Sequence, residues 1–311
     1  MLEMKFGPLS QADVGAMRSL MAAEEQTWLA ELDWDYAPIR RILFGFLHPH
    51  LLPGFVASRG AEALGYTYFL IARSKGMIGT VFAGGPDAQS IADRLLSRAI
   101  ESLKETPHVR RIEAQIIPLH GLDLNPVFMR HGFQSFPRHY LELDLIAPLP
   151  EKSSFLEAIV PWHVRFAADC AEVAYRSYHS GIDSILCEDY GSVANCESYI
   201  RSLVENPGCG IFLPDSSFVG LDSRGTPCGF VLASRLSPAA AMIPQISVHP
   251  AHQGRGLGTA LIRTAFDRLR AGEYRAARLT VTRQNQRAHE WYCRLGFRNR
   301  RDFNAHVWQR E

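Results

Sequence analysis

The sequence predicts an α/β (α+β) chain built as two similar units in tandem. Its 311 residues exceed what one ordinary domain of about 100 to 200 residues needs. Strand-like and helix-like runs come in the same order in each half. Landmarks of the first half recur in the second at a shift of about 164 residues. Phe128-Met129-Arg130-His131-Gly132-Phe133 falls on Tyr292-Cys293-Arg294-Leu295-Gly296-Phe297, Pro86 on Pro250, Gly65 on Gly229 and, one residue out of step, Phe55 on Phe218.

The elements follow along the chain. Residues 66–71 and 77–82 are rich in β-branched and aromatic side chains and read as strands. Ile91, Leu95, Leu96, Ala99, Ile100 and Leu103 recur at spacings of three and four, which predicts a helix with one apolar side. Residues 140–145 read as the last strand of the first half, and the proline- and serine-containing stretch 147–154 as a join. In the second half Ile246-Ser247-Val248 is a strand end stopped by Pro250, which has no N–H for a ladder. Gln253-Gly254-Arg255-Gly256-Leu257-Gly258 follows, then Leu257, Leu261, Ile262, Ala265, Phe266 and Leu269 at helical spacing. Residues 278–282 alternate as a strand, and Gly296 stands where a helix end needs a positive φ.

Composition excludes several classes. Hydrophobic residues make up 47% and charged residues 21%, enough apolar material for packed cores. Thirty-three Lys and Arg against 32 Asp and Glu give a formal charge of +1, so no overall field draws a polyanion, and no nucleic-acid partner is expected. No apolar run is long enough to span a bilayer and the N-terminus lacks a signal-peptide core, which predicts a cytoplasmic protein without a membrane partner. Six cysteines at irregular spacings, with no C-x-x-C pair, indicate neither a disulfide framework nor a metal site. Cys209, in the turn-like run NPGCG, is the one cysteine in a conspicuous setting.

A strand, a glycine loop and a helix in succession form an anion-binding device. The first turn of a helix has unpaired N–H groups and a partial positive charge, and glycines let a bulky phosphate approach. The spacing is neither that of a P-loop, which needs a Lys after its glycines, nor G-x-G-x-x-G. It resembles the Q/R-x-x-G-x-G/A signature of the GNAT family of acyl-CoA N-acyltransferases, read here as Gln253, Gly256 and Gly258. Downstream, Asn285 to Phe297 resembles the family's N-x-x-A-x-x-x-Y-x-x-x-G-F segment.

The resemblance implies two tandem GNAT-like domains, each a mixed, mostly antiparallel sheet flanked by helices. It implies acetyl-CoA as co-substrate, with no metal, and an amine acceptor, small molecule or peptide. The pyrophosphate contacts would be the amides from Gly254 through Arg255, Gly256, Leu257 and Gly258 to Thr259, with Ile246 and Val248 on the preceding strand, Asn285 on the pantetheine arm and Tyr292 beside the sulfur. Residues 155–311 would then be the catalytic domain, transferring acetyl to a primary amine by direct attack in a ternary complex. Residues 1–147 would be a degenerate repeat, because Gly254, Gly256 and Gly258 become Ser90, Ala92 and Arg94 at the same shift, and Tyr292 becomes Phe128. The oligomeric state stays open, a monomer being compatible with two repeats that can pack on each other.

In chemical terms, Tyr292 is the candidate acid for the departing thiolate, since a phenol stays protonated at neutral pH. The Val248 N–H is the candidate oxyanion donor. Gln245 stands where relatives often carry a carboxylate and cannot act as a base. Asp183 and Glu188 are acceptor-side candidates, against the alternative that they are solvated loop charges. A non-catalytic acyl-CoA-binding or scaffold protein, or a transferase of longer acyl groups, are the competing readings. A tyrosine kept beside the sulfur favours catalysis.

Overall fold

The computed structural model describes residues 3–47, 50–147 and 158–310. These divide into two compact units, Met1–Pro137 with Phe303–Glu311, and Arg138–Asp302.

In the first unit the order is β1 (Met4–Pro8), α1 (Val14–Leu32), α2 (Ala37–Leu47), β2 (Gly54–Arg59), β3 (Glu62–Ala72), β4 (Lys75–Ala83), α3 (Ala88–Glu105), β5 (Arg111–Ala114) and α4 (Asn125–Arg130), followed by the start of β6 (Gln134–Asp144). Strands β1 to β4 pair antiparallel in sequence and β4 pairs parallel with β5. The apolar stripe expected on α3 is buried along its length. A carboxylate lies deep in this unit. Glu24 on α1 is fully buried and accepts hydrogen bonds from the Tyr66 hydroxyl, from Thr80 Oγ1 at 3.0 Å and from Trp28 Nε1 at 3.3 Å.

Burial pushes the Glu24 carboxyl above its ordinary value, against the lowering effect of its three donors. The folded state therefore holds this proton more tightly than the unfolded chain. The stability this group contributes is full below the unfolded-state pKa and is lost as pH rises through the folded value. Glu24→Gln, neutral throughout, should gain stability relative to the natural chain in chemical denaturation as pH rises above the ordinary carboxylate range of about 4. A gap that narrows with rising pH would contradict this. Glu24→Ala strands three buried donors and should cost about 3 to 5 kcal/mol.

The second unit contains β7 (Ile159–Pro161), α5 (Ala167–Tyr178), α6 (Ile182–Leu186), α7 (Val193–Glu205), β8 (Ile211–Phe212), β9 (Phe218–Leu221), β10 (Pro227–Arg235), β11 (Ala240–Val248), α8 (Leu257–Ala271), β12 (Ala276–Thr282), α9 (Gln286–Arg294) and the start of β13 (Arg298–Gln309). Its strands β7, β9, β10 and β11 pair antiparallel in turn, β8 adds to β10, and β11 pairs parallel with β12. One parallel pair among antiparallel ones in each unit is the mixed sheet expected. The core lies where α8 packs its apolar stripe, Leu257, Leu261, Ile262, Ala265, Phe266 and Leu269, against the sheet.

The division between the units differs from the expected boundary at 147, and the reason is an exchange of strands. β6 enters the second unit at Arg138 and pairs antiparallel with β12, from Arg138↔Thr282 to Asp144↔Ala276. β13 returns to the first unit at Phe303 and pairs antiparallel with β5, from His306↔Ala114 to Gln309↔Arg111. Each unit thus closes with a strand from the other half of the sequence, which covers an edge that would otherwise be open. The expected join lies outside the described residues except for Ala147.

The absence of a glycine loop from the first unit has a sharper form than the shift implied. Ser90, Ala92 and Arg94 lie inside α3, which starts four residues after β4, whereas eight residues separate β11 from α8. The cradle is shortened as well as mutated. The Arg94 guanidinium covers the Phe6 ring at 4.0 Å, and Phe128 is fully buried and stacked on His306 at 3.8 Å. No helix among the described residues is long and apolar enough to cross a membrane.

Candidate active site

A break in strand pairing creates the site. Leu232 faces Gln245 across β10 and β11, but Ser234 faces Met242, so β11 carries an extra residue around Ile243 and Pro244. Proline is tolerated at such a bulge because no ladder bond is owed there. On its other side β11 pairs with β12 only through Ala240, Ala241 and Met242, although the strands run on to Val248 and Thr282. Beyond Met242 they part and leave a wedge.

Backbone polarity in the wedge follows from the ladder. The His249 N–H donates to the Cys228 carbonyl at 2.9 Å, and alternation from that bond turns the N–H and C=O of Val248 and Ile246 away from β10. Their carbonyls are occupied. The Tyr178 hydroxyl donates to Ile246 O at 2.7 Å, and Ser177 Oγ and Gln253 Nε2 each donate to Val248 O at 2.9 Å. The amides face the wedge.

The glycine loop sits at the mouth. α8 begins at Leu257 with no side-chain cap, so its first-turn N–H groups lack the usual side-chain acceptor. Gly254 (φ 74°) and Gly256 (φ 89°) adopt the left-handed region, and the space where a Cβ would stand on Gly254 is open. Leu257 turns its side chain into the core and Arg255 turns its own to solvent, leaving only their backbone toward the loop. An anionic group fits this concavity.

α9 forms the opposite wall. Asn285 caps it, Oδ1 accepting from the Ala288 N–H at 3.2 Å. Trp291 Nε1 donates to Thr259 Oγ1 at 3.2 Å and Arg287 Nη1 donates to Gln253 Oε1 at 3.0 Å, tying α9 to the loop in two places. A pocket of about 490 Å³ results. Ile246, Val248, Gln253, Gly254, Gly256, Gly258, Thr259, Asn285 and Tyr292 all line it. Sequence reasoning missed Ser177, Tyr178, Ser247, His252, Arg287 and Arg294, which line it too. The first four carry no motif spacing. Arg287 and Arg294 lay in a quoted segment and could have been found from helical periodicity, seven residues apart on one side of α9.

Tyr292 is nearly buried, and its hydroxyl has no hydrogen-bond partner among the described residues. Burial, then the neighbouring Tyr178 phenol and Asp183 carboxylate, push it well above the ordinary phenol value, so it stays protonated. Asp183, in the first turn of α6, accepts from Thr282 Oγ1 at 2.6 Å and from Asn285 Nδ2 at 2.9 Å. It therefore lies directly behind the pocket wall. Glu188 does not line the pocket; its carbonyl accepts from Asn195 Nδ2 at 3.3 Å. Gln245 is structural, its Oε1 accepting from the Tyr190 hydroxyl and its Nε2 donating to Ser247 Oγ, each at 2.8 Å. Burial raises the Cys209 thiol to about 11, which leaves little thiolate at neutral pH. Among the described residues no cluster of metal-ligating side chains occurs.

A wedge between two parallel strands, an uncapped helix with a glycine loop at its mouth and a tyrosine on the facing helix meet at one pocket. Residues 181–297 match the model of the acetyltransferase (GNAT) family. Over 87 residues the chain is 37% identical to the N-alpha-acetyltransferase RimI of Mycobacterium tuberculosis. That match takes in 27% of this chain and 53% of the relative, so the chain spans about half the length of the curated relative it matches. The whole fold is shared with a tandem GNAT protein from the clavulanic acid biosynthesis pathway (TM-score 0.66, 19% identity, 99% of this chain and 98% of the other). A GCN5-related N-acetyltransferase from Sphaerobacter thermophilus is similarly related (TM-score 0.68, 15% identity, 99% and 97%).

Proposed function

We propose that the second unit transfers an acetyl group from acetyl-CoA to a primary amine by direct attack in a ternary complex, and that the protein works in the cytoplasm. The observation that carries this reading is the convergence of the open helix end, the wedge amides and the Tyr292 hydroxyl on one pocket. The loop amides from Gly254 to Thr259 would hold the diphosphate, and the pantetheine arm would lie in the wedge beside Asn285. The Val248 N–H would receive the negative charge that develops on the carbonyl oxygen, a fixed dipole that needs no reorganisation. Tyr292 would protonate the departing sulfur. The RimI relative is an N-alpha-acetyltransferase, which favours an α-amine. With a pKa of about 7.7 to 8.0, such an amine is partly neutral at pH 7, unlike a lysine at about 10.4.

The first unit, without a glycine loop, would bind no acyl-CoA. Calorimetry with acetyl-CoA should therefore give one site per chain, and Arg94→Gly should leave the affinity within about twofold. Two sites, or loss of affinity in Arg94→Gly, would place the cofactor wrongly. Thiol release from acetyl-CoA across a panel of peptides and small amines tests the activity itself.

A further inference from the structure

We propose that Cys293 and His289 form a reactive thiol pair on α9, a site of thiol–disulfide exchange with small-molecule disulfides that is separate from the pocket described above. Of the six cysteines only Cys293 is exposed. Its Sγ lies 3.7 Å from His289 Nε2, within reach for the thiol to donate a hydrogen bond to the imidazole. The two residues stand four apart and share one side of the helix. Neither lines the pocket, which is faced by Ala288, Trp291 and Tyr292 of the same helix.

The setting of the imidazole makes the pair more than an exposed thiol. His289 is half-buried, and its ring stacks on that of His139 of β6, with centroids 4.7 Å apart and planes at 29°. His139 is held in turn, its Nδ1 donating to Asp302 Oδ1 at 2.7 Å, and the same oxygen accepts from Asn299 Nδ2 at 2.8 Å. Against burial, which raises it, these two hydrogen bonds hold the Asp302 carboxyl below its ordinary value, so it is ionised at neutral pH. A base that reaches its nucleophile and is itself oriented by a further group is the arrangement that activates a thiol. Here α9, β6 and β13 each supply a part, all within the Arg138–Asp302 unit. Glu290, the carboxylate nearest in sequence, pairs with Arg294 at 3.9 Å, which offsets part of its opposition to a thiolate.

The remaining thiols lack this setting. Cys170, Cys187, Cys196 and Cys228 are buried. Burial lifts the Cys170 thiol well above its ordinary value and raises Cys196 and Cys209 to about 11, which leaves little thiolate to react.

The exchange balances. His289 takes the Cys293 proton, and the thiolate attacks one sulfur of the disulfide. A new S–S bond forms at Cys293 as the old one breaks. The departing thiolate receives the proton from His289, so that Cys293 is oxidised and the small disulfide is reduced.

The probe is dithiobis-nitrobenzoate, an aromatic disulfide, mixed rapidly with the full chain at neutral pH, with the product mapped by peptide mass spectrometry. One thiol per chain should react at least about tenfold faster than the rest, and mapping should place it at Cys293. Cys293→Ser should remove the fast phase, and His289→Gln should slow it at least about tenfold. His139→Ala should slow it by a smaller factor, whereas His139→Phe, which keeps a ring against His289, should restore the rate. A fast thiol at another cysteine, a fast phase that survives Cys293→Ser, or a folded His289→Gln that reacts at the natural rate overturns the proposal. Mapping of the natural chain needs no variant, so the test stands even where a substitution unfolds the protein.

Discussion

Gly256→Glu should weaken acetyl-CoA binding by about a thousandfold, which in calorimetry is loss of measurable heat. Two effects add. Gly256 has φ 89°, a conformation that costs an L-residue about 1 to 2 kcal/mol. A carboxylate at the open end of α8 would also face the diphosphate where the helix offers it N–H groups, a repulsion of about 2 to 4 kcal/mol at an effective dielectric near 20. Gly256→Ala carries only the first effect and should cost about tenfold. Both variants should still fold, melting a few degrees below the natural chain because the folded loop bears that cost. Binding that survives Gly256→Glu would show that the diphosphate sits elsewhere.

Tyr292→Phe should lower the catalytic constant by roughly ten- to several-hundredfold while acetyl-CoA affinity stays nearly constant. Among the described residues the hydroxyl has no hydrogen-bond partner to lose, and the ring packs against Phe297 at 5.6 Å and Trp291 at 4.9 Å, so folding should survive. The loss is bounded because a thiolate is already a fair leaving group. Rapid-mixing measurement of the chemical step, with an amine that the screen identifies, is the test. Full turnover in the variant with chemistry rate-limiting would assign the proton to water and leave Tyr292 a packing residue.

The pocket's mouth was legible in the sequence because its chemistry is local. Gln253, Gly254, Gly256, Gly258 and Thr259 are consecutive or nearly so, and a loop followed by a helix holds them together whatever the rest of the chain does. Tyr292 was legible through fixed spacing on a short helix. Ser177 and Tyr178 were not, because they reach the pocket from α5 through hydrogen bonds to Val248 and Ile246, about 70 residues away in sequence. Asp183 could be named but not placed. Its position depends on Thr282 and Asn285, about 100 residues on.

The sequence by itself determined the two-fold order of elements, the buried stripes of α3 and α8 and the location of the glycine loop in one half only. These follow from periodicity and from backbone conformations that particular residues require. Tertiary structure decided which strand closes each unit, because β6 and β13 read alike whichever edge they cover and only pairing with β12 and β5 distinguishes them. It also decided where β11 and β12 part and what faces the gap. Strand separation is a property of two strands and a bulge together, and the wedge, its amides and the carboxylate behind its wall exist only once distant segments have packed.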